Sequence, residues 1–300
     1  MKRFAYGVHI MWYELGMIEE HFASLAHAMQ QATWPIDIHI CVNEQTYIET
    51  PNRPMIEVMT ELYGKLTQAL AEVPARKDSV FIYRKTMYDP FYNIADFRRE
   101  TRCLPPYEVP GMEELDGGGY TIWGEIDAIL PETYFACIEA FDKQVDSPCV
   151  LTFASRKMWD ATWTPVEHIA LQSIPCNQIE PPFDNEHYIT QQQLDAFNDQ
   201  YGNPTIHQQS PAKIDGCLLA IHSRVPALLP SDMHFAREDY IAQCMLDRLK
   251  IPQIHFINVL KGHNYRHPKK RIYTDSSRTD PIYLQYEKES LAAGMRFLNA

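Results

Sequence analysis

Hydrophobic residues recur with two different periods in the first third of the chain. Residues 36–42 alternate apolar with polar side chains, the pattern of a strand that buries one face. Residues 17–32 and 56–73 carry apolar side chains at helical spacing. Short apolar runs at residues 6–12 and 79–83 add two more strands. The order strand, helix, strand, helix, strand predicts a parallel sheet covered by helices.

The same two patterns continue in the second half of the chain, with longer interruptions. Strands are predicted at residues 120–123, 149–154, 214–222 and 253–259, and helices at residues 132–142, 190–198, 238–249 and 281–298. Residues 84–119 and 171–212 interrupt the pattern and are predicted to be inserted loops. A connection as long as the second is usually functional, as a lid or a substrate loop. We therefore expect an α/β fold with a mainly parallel central sheet flanked by helices, in a single domain over residues 1–300, because no repeat or linker interrupts the pattern.

Composition and charge narrow the class of protein. Hydrophobic residues make up 45% and charged residues 22% of the chain, the usage of a globular protein rather than a disordered or fibrous one. The formal net charge of −12 argues against a surface coated for nucleic acid, although a local basic patch can still bind phosphate. The 7 cysteines are scattered without a CxxC pair, which favours reduced thiols. With no long apolar run and no secretory signal, we expect a cytoplasmic protein that does not enter a membrane.

An acidic pair follows the strand predicted at residues 120–123. Glu125 and Asp127 are two positions apart, so on an extended chain their side chains point the same way. Two like charges held side by side are costly unless a cation lies between them, and carboxylate oxygens suit Mg²⁺ or Mn²⁺. The alternative is a solvated strand end, because a Glu-x-Asp tripeptide is common.

A second acidic pair begins the helix predicted at residues 238–249. Glu238 and Asp239 occupy its first turn, where the helix dipole favours negative charge, so capping alone explains them. A carboxylate at that point is also well placed as a general base for a hydroxyl group, if it faces a cleft. Because neighbouring helical residues are rotated by about 100°, the two side chains are not expected to face the same substrate.

Basic residues are concentrated after the last strand predicted for the sheet. Residues 261–271 hold five formal positive charges, two histidines and no acid. His263, Arg266 and Lys269 belong to this segment, which has the chemistry of a loop that wraps phosphate. A solvated basic loop is the alternative interpretation. Residues 95–100 are also charged, and they are interpreted either as a salt-bridged helix face or as the lip of a nucleotide pocket.

Taken in order, these motifs resemble those of the GT-A family of glycosyltransferases, which use nucleotide-sugar donors. Residues 125–127 are similar to the family's DxD motif, residues 237–239 to its xED motif, and His263 to its metal-binding histidine. The resemblance spans residues 8–271. The chain departs from the family at the first acid of the DxD motif, which is Glu. It also departs at residues 43–44, where Asn and Glu replace an aspartate that contacts uracil.

The resemblance implies specific chemistry for the acidic residues. Asp127, Glu125 and His263 would hold Mn²⁺ or Mg²⁺ against a donor diphosphate. Asp239, with Glu238 beside it, would be the catalytic base for the acceptor hydroxyl. A single general base with direct displacement implies inversion at the anomeric carbon, whereas a glycosidase would need two carboxylates that flank the bond.

The resemblance also divides the chain into a nucleotide-sugar half (1–127), an acceptor half (128–275) and a C-terminal helix (276–300). The donor, with a UDP-sugar favoured, is expected near Trp12, Tyr13, Asn43, Arg98, Arg99, Arg266 and Lys269. The aromatic residues Trp159 and Trp163 are expected to bind the acceptor.

The identity of the acceptor is the expectation that leaves the most alternatives open. The layout is similar to that of phage-encoded transferases that modify hydroxymethylated pyrimidines, so 5-hydroxymethylcytosine in DNA is a candidate, reached by base flipping in a host cytoplasm. A glycan or a small molecule is the competing acceptor. Two other classes of function stay open: a sugar nucleotidyltransferase, which needs a Gly-rich loop after the first strand, and a non-catalytic binding protein on the same scaffold.

Overall fold

The computed structural model describes residues 2–43, 54–74, 82–87, 94–103, 118–145, 147–156, 161–174, 189–209, 214–234, 237–263 and 281–300, and the fold is that of these residues. The strands are β1 (Arg3–Met11), β2 (Ile36–Asn43), β3 (Ile82–Met87), β4 (Gly119–Glu125), β5 (Ala128–Ile129), β6 (Val150–Ala154), β7 (Gln208–Gln209), β8 (Leu219–His222), β9 (Gln253–Leu260) and β10 (Gly262–His263). The α-helices are α1 (Ile18–Met29), α2 (Met55–Ala71), α3 (Ile94–Cys103), α4 (Tyr134–Asp142), α5 (Gln191–Tyr201), α6 (Glu238–Leu249) and α7 (Pro281–Asn299). Short 3₁₀ helices are formed by Trp12–Met17, Ala161–Val166 and Ile169–Leu171.

Eight of the described strands form one sheet, in the order β3-β2-β1-β4-β8-β6-β9-β7. Strands β1 to β4 run parallel to one another, and β6 runs parallel to β9. β8 is antiparallel to both β4 and β6, and β7 is antiparallel to β9. Six of these eight strands therefore point the same way. The predicted α/β fold with a mainly parallel central sheet flanked by helices is confirmed.

The direction of strand addition reverses at β1, and this reversal locates the crevice of the sheet. β2 pairs with one side of β1, and β4 pairs with the other. In open α/β sheets, ligands bind at such a reversal, outside the carboxyl ends of the strands. Here the carboxyl ends of β1, β2 and β4 are Met11, Asn43 and Glu125, so the first acidic motif lies at this edge.

Helices cover both faces of the sheet. On one face, α1, α2 and α4 pack against alternate residues of β1, among them Tyr6 and Val8, in the larger hydrophobic cluster. On the other face, α6 and α7 pack against Trp123 and Leu219, and Ala95 of α3 joins that second cluster. The described side chains of β1, β2 and β4 are therefore mostly buried on both faces, as expected for a covered parallel sheet.

The predicted elements agree with the described ones in type, with two exceptions. Residues 84–119, predicted to be an inserted loop, include the helix α3. The helix predicted at residues 238–249 coincides with α6. The strand predicted at residues 214–222 is wrong in its first half, because extended structure begins at Leu219. Leu218 has a φ of 55°, in the left-handed region, and the Asp215 carboxylate accepts the Cys217 amide at 3.2 Å, so the chain turns here instead of extending. None of the helices described in the structure combines the length and the apolar character that crossing a membrane requires.

Candidate active site

The two acidic pairs predicted from the sequence lie at the same edge of the sheet. Glu125 is the last residue of β4, and Asp127 follows in the turn that leads into β5. Glu238 is the first residue of α6. One nitrogen of Arg98 lies 2.7 Å from Glu125 Oε1 and 3.3 Å from Glu238 Oε1. The fold thus brings together two motifs that are far apart in the chain.

Arg98, on α3, joins the two acidic pairs from a buried position. Besides its contacts with Glu125 and Glu238, it donates from Nη1 to the Gly216 carbonyl oxygen at 3.1 Å. Its guanidinium lies over the ring of Trp123, 4.7 Å from the centroid, in a cation–π contact. The side chain of Arg98 is 3% exposed, so these charge-assisted bonds are shielded from water. A side chain at Gly216 would overlap the guanidinium, so this close approach depends on glycine.

Glu125, Asp127 and Cys217 form a group of potential metal ligands, with their ligand atoms within 4.8 Å of one another. Burial, with the nearby carboxylates, raises the pKa of the Cys217 thiol well above its usual value, so the sulfur stays protonated and is a weak ligand. The two carboxylates suit a hard divalent cation, and the donor set therefore fits Mg²⁺ or Mn²⁺ on Glu125 and Asp127. They approach each other across a turn, not along an extended strand as the sequence predicted.

His263, the third ligand implied by the resemblance, lies at the same edge but outside that group of three. Its strand, β10, pairs with β5, and this pairing puts His263 opposite Ala128, the residue after Asp127. Its half-buried ring also contributes to lowering the pKa of Asp215. The backbone therefore places His263 beside the turn that carries Asp127, and its binding of a cation stays a prediction.

His21, on α1, fixes the turn that carries Asp127. Its Nδ1 donates to the carbonyl oxygen of Ala128 at 2.9 Å, and its Nε2 lies 3.2 Å from the hydroxyl of Tyr6. Burial lowers the pKa of His21 to about 4, so the ring is neutral near pH 7. A neutral ring that donates from Nδ1 has no proton on Nε2, so Nε2 accepts a hydrogen bond from the Tyr6 hydroxyl. The turn is therefore held by a buried hydrogen-bond chain from α1 to β1.

A buried ion pair supports the other side of the site. Lys261 Nζ lies 2.8 Å from Asp215 Oδ2, and Ser155 Oγ donates to the same oxygen at 2.9 Å. Lys261 also donates to the carbonyl oxygen of Cys217. Although burial raises the pKa of Asp215, the charges of Lys261 and His263, together with the hydrogen bonds from Lys261 and Ser155, outweigh this effect and hold that pKa well below its usual range. Lys261 is therefore a structural cation, and its predicted place in a phosphate-wrapping basic loop is wrong, because its side chain is 0% exposed.

The second acidic pair sits at the start of α6, after a strained residue. Arg237 has a φ of 69° and directs the chain into the helix, while its own side chain binds Glu287 of α7 at 2.9 Å. Burial, followed by the nearby charge of Asp239 and a hydrogen bond with it, raises the pKa of Glu238. The two carboxyl groups therefore influence each other in the first turn of α6. Glu238 is buried against Arg98, and Asp239 is the more exposed of the two.

The structure describes only some of the residues that are expected to bind the donor. Trp12 follows β1 and is half-buried, while the backbone of Tyr13 continues the same 3₁₀ helix. Asn43 ends β2 and pairs in register with Met11, so these positions line the predicted crevice edge. Arg98 faces the acidic pairs, and its contact with a donor stays a prediction. The structure does not describe the side chains of Tyr13, Asn43 and Arg99. Arg266 and Lys269 lie outside the described residues altogether.

The structure describes one of the two tryptophans that are expected to bind the acceptor. Trp163 is half-buried in the 3₁₀ helix Ala161–Val166, whereas Trp159 lies outside the described residues. This helix is attached to the end of β6, because the Ser155 amide donates to the Val166 carbonyl oxygen at 2.7 Å. Ser155 in turn binds Asp215, so the segment that carries Trp163 borders the candidate site.

Comparison with known proteins leaves the chain without an assigned family. No family model matches it, and no curated protein matches it. Among solved structures, it is similar to residues 1–349 of S. aureus TarS, with 10% sequence identity, a TM-score of 0.37, and coverage of 99% of this chain and 72% of that chain. A likeness this low carries no argument about function, which rests on the chain's own topology and site.

Proposed function

We propose that the chain is a metal-dependent, inverting glycosyltransferase that moves a sugar from a nucleotide diphosphate donor to an acceptor hydroxyl. The observation that carries this proposal is the meeting of two acidic pairs at the reversal of the sheet. Glu125 and Asp127 come from the carboxyl end of β4, and Glu238 and Asp239 from the first turn of α6. One pair has the donor atoms for a cation, and the other supplies a base.

The cation would be held by Asp127 and Glu125, with His263 beside them. When bound, Mg²⁺ or Mn²⁺ would neutralise the charge that develops on the leaving diphosphate. His21 keeps the turn of Asp127 in place through the Ala128 carbonyl. A UDP-sugar is the donor we propose, at the crevice formed by the ends of β1 and β2.

Asp239 is the base that the geometry favours. Glu238 is buried and lies 3.3 Å from Arg98, so its carboxylate is engaged inside the protein. Asp239 is partly exposed at the same helix start. There it would accept the proton of the acceptor hydroxyl as that oxygen attacks the anomeric carbon from the face opposite the diphosphate. One base and one direct displacement give inversion.

The donor half of the proposal is tested by ligand-dependent thermal stability. The wild type would be melted with UDP, GDP, CDP and ADP, each with and without Mn²⁺, because a ligand that binds the folded state raises its melting temperature. We expect a shift with UDP that requires Mn²⁺ and disappears in Asp127→Ala. Asp232→Asn, at an exposed ion pair with Arg296, is the matched control and should keep the full shift. A metal-independent shift, or none with any nucleotide, contradicts the proposal.

The acceptor we propose is 5-hydroxymethylcytosine in DNA, with a glycan or small molecule as the competing class. Labelled UDP-sugar would be offered at low salt with hydroxymethylated DNA, with unmodified DNA and with a saccharide panel. Label on the modified DNA alone supports the DNA acceptor, and DNA binding should then weaken steeply with salt. Label on a saccharide without label on DNA ends that part of the proposal and leaves glycosyl transfer standing.

A further inference from the structure

The guanidinium of Arg98 occupies an unusual position for a site that is thought to bind a divalent cation. It contacts Glu125, a candidate ligand of that cation, at 2.7 Å and Glu238, beside the candidate base, at 3.3 Å, both through Nη2. Its side chain is 3% exposed, and that of Glu238 is 8% exposed. A buried cation held between two carboxylates from different elements fixes both of them.

We propose that Arg98 is a positioning residue that ties Glu125 of the cation site to Glu238 of the base helix. Its guanidinium neutralises much of the negative charge of Glu125. Asp127 therefore contributes more than Glu125 to the binding of a divalent cation. The same guanidinium holds Glu238 inward and thereby sets the first turn of α6, from which Asp239 reaches the acceptor. This inference rests on the proposed function.

Three contacts fix the guanidinium in that place. The Gly216 carbonyl accepts Nη1 at 3.1 Å, the Trp123 ring lies beneath the guanidinium at 4.7 Å, and Gly216 itself leaves room for it. Gly216 belongs to the turn that also carries Cys217, whose sulfur lies within 4.8 Å of the ligand atoms of Glu125 and Asp127. Arg98 therefore contacts two of the three segments that supply those ligand atoms, the end of β4 and the turn that carries Cys217.

The test measures Mn²⁺ affinity by electron paramagnetic resonance, separately from catalysis. In Arg98→Met, Glu125 loses its guanidinium partner and one positive charge leaves the site, so we expect the dissociation constant for Mn²⁺ to fall by about tenfold. We expect kcat to fall by about 100-fold, with the donor KM changed less than about threefold, because the base is misplaced while the donor still binds. Tighter metal binding together with lower kcat is a combination that general loss of structure does not produce.

Two further variants separate charge from geometry. Arg98→Lys keeps the charge but lacks the planar fork, so it should keep the wild-type Mn²⁺ affinity and recover only part of kcat. Gly216→Ala keeps the charge of Arg98 and displaces its guanidinium, so it should lower kcat while tightening Mn²⁺ binding less than Arg98→Met does. Arg296→Met, which removes an exposed arginine from its pair with Asp232, should match the wild type in both measurements.

Because Arg98→Met leaves Glu238 buried without its partner, the double variant Arg98→Met/Glu238→Gln is measured as well. It removes the unpaired charge and should fold while keeping the tighter Mn²⁺ binding. Mn²⁺ binding that is unchanged or weaker in folded Arg98→Met and in the double variant overturns the role of Arg98. If the wild type transfers no sugar, the proposed function fails, and the Mn²⁺ measurements still decide whether Arg98 governs the cation site.

Discussion

Replacing Lys261 by Met removes the positive partner of a buried carboxylate and keeps a side chain of similar length. Lys261 Nζ lies 2.8 Å from Asp215 Oδ2, and the two side chains are 0% and 10% exposed. Breaking a buried pair by removing one partner costs about 3–5 kcal/mol. Asp215 keeps two donors in the variant, Ser155 Oγ and the Cys217 amide. We therefore expect a loss of unfolding free energy at the lower end of the range, about 3 kcal/mol at pH 7.

The dependence of that loss on pH follows from the pKa of Asp215. In the wild type this pKa lies well below its usual range, because burial, which raises it, is outweighed by the charges of Lys261 and His263 together with the hydrogen bonds from Lys261 and Ser155. Such a group contributes stability above its unfolded pKa of about 3.9, and the contribution is lost as the pH falls below that value. In Lys261→Met, the largest opposing effect is gone and only His263 and the remaining hydrogen bonds counter burial, so the pKa rises and protonation of Asp215 on acidification restores stability. The difference between wild type and variant should therefore shrink from pH 7 towards pH 4.

Urea denaturation at pH 7 and at pH 5 measures both effects. The double variant Lys261→Met/Asp215→Asn is the control, since it removes both charges and should recover at least half of the lost free energy. The reasoning is refuted if Lys261→Met loses less than about 1 kcal/mol at pH 7, the cost of an exposed pair. It is refuted equally if the difference from the wild type grows as the pH falls.

Three further predictions concern the site itself. Asp127→Ala should abolish Mn²⁺-dependent binding of UDP in calorimetry, and binding that persists in excess EDTA would contradict the proposed ligand. Asp239→Asn should lower kcat by about 10²–10⁴ with donor binding nearly intact, whereas an inactive Glu238→Gln beside an active Asp239→Asn would show that the base is Glu238. His21→Phe removes the donor to the Ala128 carbonyl and should weaken Mn²⁺ binding by about tenfold, because the turn of Asp127 loses a hydrogen bond that fixes it. Unchanged Mn²⁺ affinity would show that His21 is not needed to position Asp127.

The sequence predicts the elements well because their signals are local. The alternation at residues 36–42 and the helical spacing at residues 238–249 correspond to β2 and α6. The strand predicted at residues 214–222 fails because periodicity does not register a left-handed residue such as Leu218. A turn of that kind is decided by the Asp215 side chain and by what packs around it.

The acids of the candidate site are predictable from the sequence, and the partners of its cations are not. Glu125 and Glu238 stand out because each lies at a recognisable element boundary. Arg98 is predicted only as a charged helix residue near the donor, because its partners lie on other elements and its contacts depend on how α3 packs against the sheet. Lys261 is grouped with the basic run that follows it, since a sequence does not show that an ammonium group is enclosed by Asp215 and Ser155. Long-range pairing of this kind follows from packing.

We propose above all that this site transfers a sugar with inversion and needs a divalent cation. Proton NMR of the product formed from a UDP-sugar, with Mn²⁺ and the acceptor that takes up label, measures both properties in one reaction. We predict a product with the anomeric configuration opposite to that of the donor, formed by the wild type and not formed in excess EDTA. A product that retains the donor's configuration, or one that forms at the full rate in EDTA, would contradict this claim.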